Sequence, residues 1–152
     1  MITINIVCVG NLKEKFSKEE QEEYCKRLSA FCKLNIVELK EQNQLENSDL
    51  IIQKEGEEIL KKIKGYSILC DIKSKEIDSV EFSEKLTSLM QQTSTITFVI
   101  GGSYGVSKEV KEKCNERISF SPMTFPHNLF RIMLLEQIYR GFMIASGKSY
   151  HK

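Results

Sequence analysis

The chain ends in Tyr150-His151-Lys152, three side chains whose types cover ring stacking, proton transfer and phosphate binding. Arg140 precedes them on an otherwise apolar segment, either as a snorkelling rim residue or as an anion clamp. Two further features suit a flat, polar ligand. The stretch Phe120-Ser121-Pro122-Met123-Thr124-Phe125-Pro126-His127 contains both prolines of the protein. Each proline fixes its own φ, lacks an N–H and drives the preceding residue out of helical space. The loop is therefore stiff, with other backbone donors and acceptors free to bond a ligand. In Gly101-Gly102-Ser103-Tyr104-Gly105, the glycines allow a ligand close to the backbone. Its spacing is not that of a dinucleotide fingerprint, and it follows a late strand rather than the first one. His127 reads as a helix-start residue or a pocket-shaping one. Asp71, ending an apolar run, either caps a turn or faces the pocket.

The elements that must position these residues follow from hydrophobic periodicity. Strands are predicted at Ile2–Val9, Asn35–Leu39, Tyr66–Asp71, Thr95–Ile100 and Arg117–Phe120. Helices are predicted at Ser17–Cys32, Ser48–Lys64, Ser79–Gln92, Ser107–Cys114 and Asn128–Ser146. Ser48 and Ser79 are the expected N-caps and Gly65 the expected stop of the second helix. Alternating strands and helices predict an α/β fold: a mostly parallel sheet of about five strands with helices on both faces. Ligands bind such sheets beyond the carboxyl ends of the strands. Cys70-Asp71, Gly101-Gly102 and the two-proline loop all lie at strand ends, so they are expected to converge on one pocket.

The last helix is apolar nearly all round. Leu129, Ile132, Tyr139 and Phe142 line one side, and Phe130, Met133, Leu134 and Ile138 cover much of the rest. Such a helix is buried on both sides, which in a chain this short predicts a homodimer built on it.

The 152 residues fit a single domain, residues 1–152, with a real core. No run is long enough to cross a bilayer, and the amino terminus reads as a strand rather than a signal peptide, which points to the cytoplasm. Five cysteines without close pairing read as small, reduced hydrophobes, so no metal site is expected. Glu19-Glu20 and Glu55-Gly56-Glu57-Glu58 read as solvated helix faces. The net charge of +1 is uneven: residues 117–152 hold five cations against Glu136 alone, a net +4, and the rest is at −3. That balance is a modest pointer to an anionic partner.

The chain resembles the ribosomal RNA large subunit methyltransferase H family of the SPOUT superfamily. The resemblance is carried by Val99-Ile100-Gly101-Gly102-x-x-Gly105, by Phe120-Ser121-x-Met123-Thr124-Phe125-Pro126-His127, by Arg131-x-x-Leu134-Leu135-Glu136-Gln137-x-Tyr139-Arg140, and by Tyr150-His151. It extends to Val9-Gly10, Tyr24-x-Lys26-Arg27-Leu28 and Lys54-Glu55-Gly56-Glu57, so it runs the whole chain. Two departures stand after the third strand, where relatives carry Leu-Asp-x-x-Gly and this chain has Cys70-Asp71-Ile72-Lys73-Ser74.

The resemblance implies a carboxyl-terminal deep trefoil knot, an obligate homodimer and S-adenosylmethionine as methyl donor. It maps the cofactor onto Cys70, Gly101, Phe120, Ser121, Pro122, Met123, Thr124 and Phe125. The implied reaction is methylation of N3 of pseudouridine 1915, in helix 69 of 23S rRNA, on the assembled ribosome. His151 would move the proton, Arg140 and Lys152 would meet phosphate or a uracil oxygen, and Tyr150 would stack or position. The tail would complete the site of the other subunit. A methyltransferase for another rRNA or tRNA site, or a silent ribosome-binding dimer, are the rival readings.

Overall fold

Five strands form one sheet in the computed structural model, which describes residues 1–44 and 47–152. They are β1 (Thr3–Val9), β2 (Lys33–Leu39), β3 (Tyr66–Cys70), β4 (Thr95–Ile100) and β5 (Glu116–Ile118). Their order is β2-β1-β4-β3-β5 and every neighbouring pair is parallel. The connecting helices are α1 (Lys15–Leu28), α2 (Ser48–Lys62), α3 (Ser79–Met90), α4 (Lys108–Lys113) and α5 (His127–Ala145).

The strands are apolar on both faces because both faces are covered. Ile4, Ile6, Cys8, Ile96, Phe98 and Ile100 pack with Leu28 of α1, Phe82 and Leu86 of α3, and Leu134, Leu135 and Ile138 of α5. Val7, Val9 and Val99 turn the other way, onto Ile59 of α2 and Val110 of α4. Burying each such side chain contributes about 1.5–3 kcal/mol, so the alternation fixes the strand faces. Helices α3 and α5 approach closely at Gly141, whose carbonyl accepts the Ser83 hydroxyl at 2.7 Å. No helix among the described residues is long and apolar enough to cross a membrane.

The expected elements are all present, with boundaries moved by local hydrogen bonding. The N-caps of α2 and α3 are Asn47 and Asp78, one residue earlier than the expected serines, accepting from Asp49 N and Glu81 N at 2.8 Å. Ser79 instead donates to Gln137 of α5 at 2.7 Å. Strand β5 stops at Ile118 rather than Phe120. Ser119 pairs outside the sheet with Lys75 and Ile77, and Phe120 turns to pack on Phe82 and Phe130.

Arg131 is the largest buried polar feature, 1% exposed on the first turns of α5. Its guanidinium donates to the Gly10 carbonyl at 3.0 Å, to Glu38 at 2.6 Å and to Gln21 at 3.2 Å. It therefore ties the start of α5 to the carboxyl ends of β1 and β2. Arg131→Met leaves a buried carbonyl and a carboxylate without their partner. We expect a loss of about 3 kcal/mol, read as a lower denaturant midpoint at constant slope.

Candidate functional site

The carboxyl ends of β3, β4 and β5 open into a cavity of about 380 Å³. Cys70 and Asp71 enter it from β3, Ile100 to Val106 from β4, and Ser119, Phe120, Ser121, Thr124 and Phe125 from the two-proline loop. His127 and Phe130 add the start of α5. The three strand ends thus meet, as their position in the sheet requires. Pro122 and Met123 are not among the lining residues; they are exposed on the loop, Met123 to 69%.

Gly101 has no room for a side chain. A Cβ there would stand 2.6 Å from Val106 Cγ1 and 3.2 Å from the Gly105 backbone. The turn closes through Gly105 N donating to Gly102 O at 3.0 Å, with Gly105 at φ +88°. The two-proline loop is held by hydroxyls as well as by proline. Ser119 Oγ donates to Ser121 O at 2.9 Å and accepts from Ser121 N at 3.2 Å, and Ser121 Oγ accepts from Met123 N at 3.0 Å. Sequence reading missed Ser119, although a serine two residues from another at a strand end is a local side-chain-to-backbone signal.

Neither departure after β3 disturbs the turn. No non-glycine residue among the described ones has a positive φ, Ser74 included. Its hydroxyl donates to the Asp71 carbonyl at 2.6 Å, and its N–H donates to the same oxygen at 3.0 Å. Asp71 caps this turn by accepting from Lys73 N at 3.0 Å, and it also lines the cavity. Burial pushes the Cys70 thiol far up, so it stays protonated and forms wall rather than nucleophile. All five cysteines are free, and no cluster of three or more metal-ligating side chains occurs among the described residues.

Glu55 corrects an expectation. It is not on a solvated face but 3% exposed, behind the glycine turn. Gly56 causes this by letting α2 approach Ser107 at the start of α4; a Cβ at Gly56 would lie 2.5 Å from the Ser107 hydroxyl. Glu55 Oε2 accepts from Gln42 N at 3.0 Å, while Oε1 is buried with no partner among the described residues. Burial raises its pKa above the usual 4.5. A raised acid pKa means the native state holds the proton longer than the unfolded chain does. Glu55 therefore contributes stability below its unfolded pKa, and that contribution is lost as pH rises through the folded value. We expect Glu55→Gln to flatten this part of the pH–stability curve, measured by thermal melts from pH 4 upward.

The tail residues form a second cluster. Arg140 donates to Glu136 Oε1 through Nε at 3.0 Å and Nη2 at 2.7 Å. Tyr150 donates its hydroxyl to Glu136 at 2.9 Å, and Tyr24 donates to the same carboxylate at 2.5 Å. Arg140 lies over the Tyr150 ring at 4.8 Å and meets His151 Nδ1 at 3.1 Å. Burial, and then the bond to Glu136, push the Tyr150 pKa up, so this hydroxyl is a donor and not a base. Glu136, read in the sequence as the lone anion of a basic quarter and as part of a family motif, is the hub.

Arg140, Tyr150 and His151 come together, but none of them lines the cavity. Arg140 is ten residues beyond Phe130 on α5, about 15 Å at 1.5 Å per residue. The chain thus carries a cavity at the start of α5 and a polar cluster toward its end.

Comparison with known proteins gives the chain a family. A family model described as "Predicted SPOUT methyltransferase" matches residues 2–151. A ribosomal RNA large subunit methyltransferase H of Clostridium botulinum (strain Kyoto / Type A2) is 50% identical over 99% of this chain and all of its own length. One of Clostridium kluyveri (strain NBRC 12016) is 47% identical over the same shares. A solved structure described as a probable methylase family protein from Haemophilus influenzae Rd KW20 aligns with a TM-score of 0.56. It covers 98% of this chain and 70% of its own at 14% identity, a likeness of fold alone. Matched from end to end by the family model and by relatives near half identity, the chain belongs to the ribosomal RNA large subunit methyltransferase H family of SPOUT methyltransferases.

Proposed function

We propose that the protein methylates N3 of a pseudouridine in helix 69 of 23S rRNA, position 1915, on the assembled ribosome in the cytoplasm. The observation that carries this reading is the meeting of Cys70, Gly101 and the 119–125 loop at one cavity, in a chain matched over its full length by rRNA methyltransferases. The cavity suits S-adenosylmethionine. Its volume is that of a small-molecule site. Ile100, Phe120 and Phe130 offer apolar wall, and Gly101 and the serine-tied loop offer backbone groups in fixed positions. When bound, this cofactor supplies an electrophilic methyl group.

The chain's own residues do the rest by position and proton handling. Phe120 to Phe125 would hold the cofactor through main-chain groups, with Pro122 and Pro126 keeping the loop from relaxing. The imide N3 must lose its proton, and His151 is the group for it. Arg140, freed from or shared with Glu136, meets a phosphate or a uracil oxygen. Tyr150 positions through its donor hydroxyl.

Because the cluster and cavity of one chain are apart, the productive site is composite: the tail of one protomer serves the cavity of its partner. Leu129, 52% exposed, and half-buried Ile132 and Met133 leave α5 an uncovered apolar flank for that homodimer. A carboxyl-terminal trefoil knot is consistent with α5 returning to pack between α1 and α3 after the loop. Light scattering at micromolar concentration should give twice 17.5 kDa, and a monomer would contradict the composite site. Transfer of labelled methyl to assembled ribosomes, with tRNA and free rRNA as controls, tests the reaction. Label on tRNA alone would reject it.

A further inference from the structure

We propose that Tyr104 is a stacking platform for an RNA base at the mouth of the cavity, with Lys73 and Lys111 taking flanking phosphates. This rests on the reading of the chain as an RNA methyltransferase and adds a contact surface that the tail does not supply.

Tyr104 lines the cavity yet is 60% exposed. Among the described residues only Phe16 and Tyr104 are exposed aromatics, and of the two only Tyr104 stands at the cavity rim, its ring face open to a ligand. It has no aromatic, cationic or hydrogen-bonding partner among the described residues, unlike Tyr24, Tyr66, Tyr139 and Tyr150. Its carrier is not a loose loop. Tyr104 sits at the tip of the turn closed by Gly105 N to Gly102 O, and Ser103 Oγ reaches Glu41 Oε1 at 3.5 Å. The ring's anchor is therefore fixed before any ligand arrives, which lowers the entropy lost on stacking.

The neighbouring charges favour RNA over a second protein surface. Lys73, after β3, and Lys111, on α4, also line the cavity, and neither makes an ion pair among the described residues. Bases splayed from an RNA loop stack on exposed aromatic rings while lysines follow the backbone. Nor is Tyr104 needed as a wall for the cofactor. Phe120, Phe125 and Phe130 already supply rings to the cavity from the opposite loop and from α5.

The experiment is steady-state methyl transfer to purified ribosomes by the full-length protein, with Tyr104→Ala, Tyr104→Phe and the Lys73→Gln/Lys111→Gln pair. Cofactor affinity is measured separately by calorimetry, and ribosome binding by co-sedimentation. We expect Tyr104→Ala to raise KM for ribosomes about tenfold, with cofactor affinity unchanged and Tyr104→Phe near wild type. The double lysine variant should flatten the salt dependence of binding by about 0.7 per lost phosphate contact. Unchanged ribosome KM in Tyr104→Ala, or a loss of cofactor affinity in its place, overturns the proposal. So does an unchanged salt slope in the lysine pair, for their part of it. Wild-type protein that sediments with ribosomes but transfers no methyl ends the methyltransferase reading, and co-sedimentation of Tyr104→Ala then decides the platform. Wild-type protein that neither binds nor methylates ribosomes ends both.

Discussion

Deleting Tyr150, His151 and Lys152 lowers the rate of methyl transfer at least about 100-fold and leaves cofactor affinity unchanged. The size comes from the loss of a positioned proton acceptor together with its neighbours, a class of contribution worth about 10²–10⁴-fold. The selectivity comes from a division of roles, since the strand ends and the two-proline loop line the cavity and no tail residue of the same chain does. His151→Ala should account for most of the loss. Tyr150→Phe should cost less, because its raised pKa makes it a donor to Glu136 and not the base. Mixing the tail deletion with a cavity-dead variant carries the test further. If the site is composite, a heterodimer regains one working site and about half the specific activity per dimer returns. A deletion that keeps full activity, or that loses cofactor binding in step with activity, contradicts this account.

The second large effect is at Gly101. Gly101→Val should weaken cofactor binding up to about 100-fold while the protein stays folded. Even the Cβ would stand 2.6 Å from Val106 Cγ1, and the branches add more. Overpacking of this kind costs about 1–3 kcal/mol, and the surface turn can relieve it only by opening away from the cavity. Gly105→Ala is the informative contrast. Space is free there within 4 Å, so only the positive φ resists, at about 1–2 kcal/mol. Calorimetric titration with S-adenosylmethionine separates the two. Equal and small losses would remove Gly101 from the cofactor site.

What the sequence revealed and what it hid divide along physical lines. The strands of β1, β3 and β4 were legible because parallel strands covered on both sides are nearly unbroken apolar runs. The cavity was legible because ligand sites in such sheets lie at strand ends, and stiff or bare residues stood there. The resemblance narrows this to eight residues expected to hold the cofactor, of which Pro122 and Met123 are exposed on the loop and do not line the cavity. Polar partners far apart in sequence were not legible. Tyr24 and Glu136 are 112 residues apart, and Arg131 and Gly10 are 121 apart. Which of them meet is decided by strand order and helix packing, not by any local pattern. Glu55 was misread for the same reason: a charge run looks solvated until Gly56 is seen to draw its helix against α4.

Cap positions show a smaller limit. Asn47-Ser48 and Asp78-Ser79 each offer two cap formers in a row. The structure uses the first of each pair, leaving Ser79 to bridge α3 and α5. The same economy recurs at the proline loop, where Ser119 and Ser121 close the turn that the prolines only bias.

Methylation of one rRNA nucleotide is decided by mass analysis of helix 69 nucleotides in rRNA from cells lacking this gene. The expected result is a pseudouridine there that is one methyl group lighter than in the parent strain, restored when the gene is returned and not when its Gly101→Val form is. Identical masses in the two strains would contradict it.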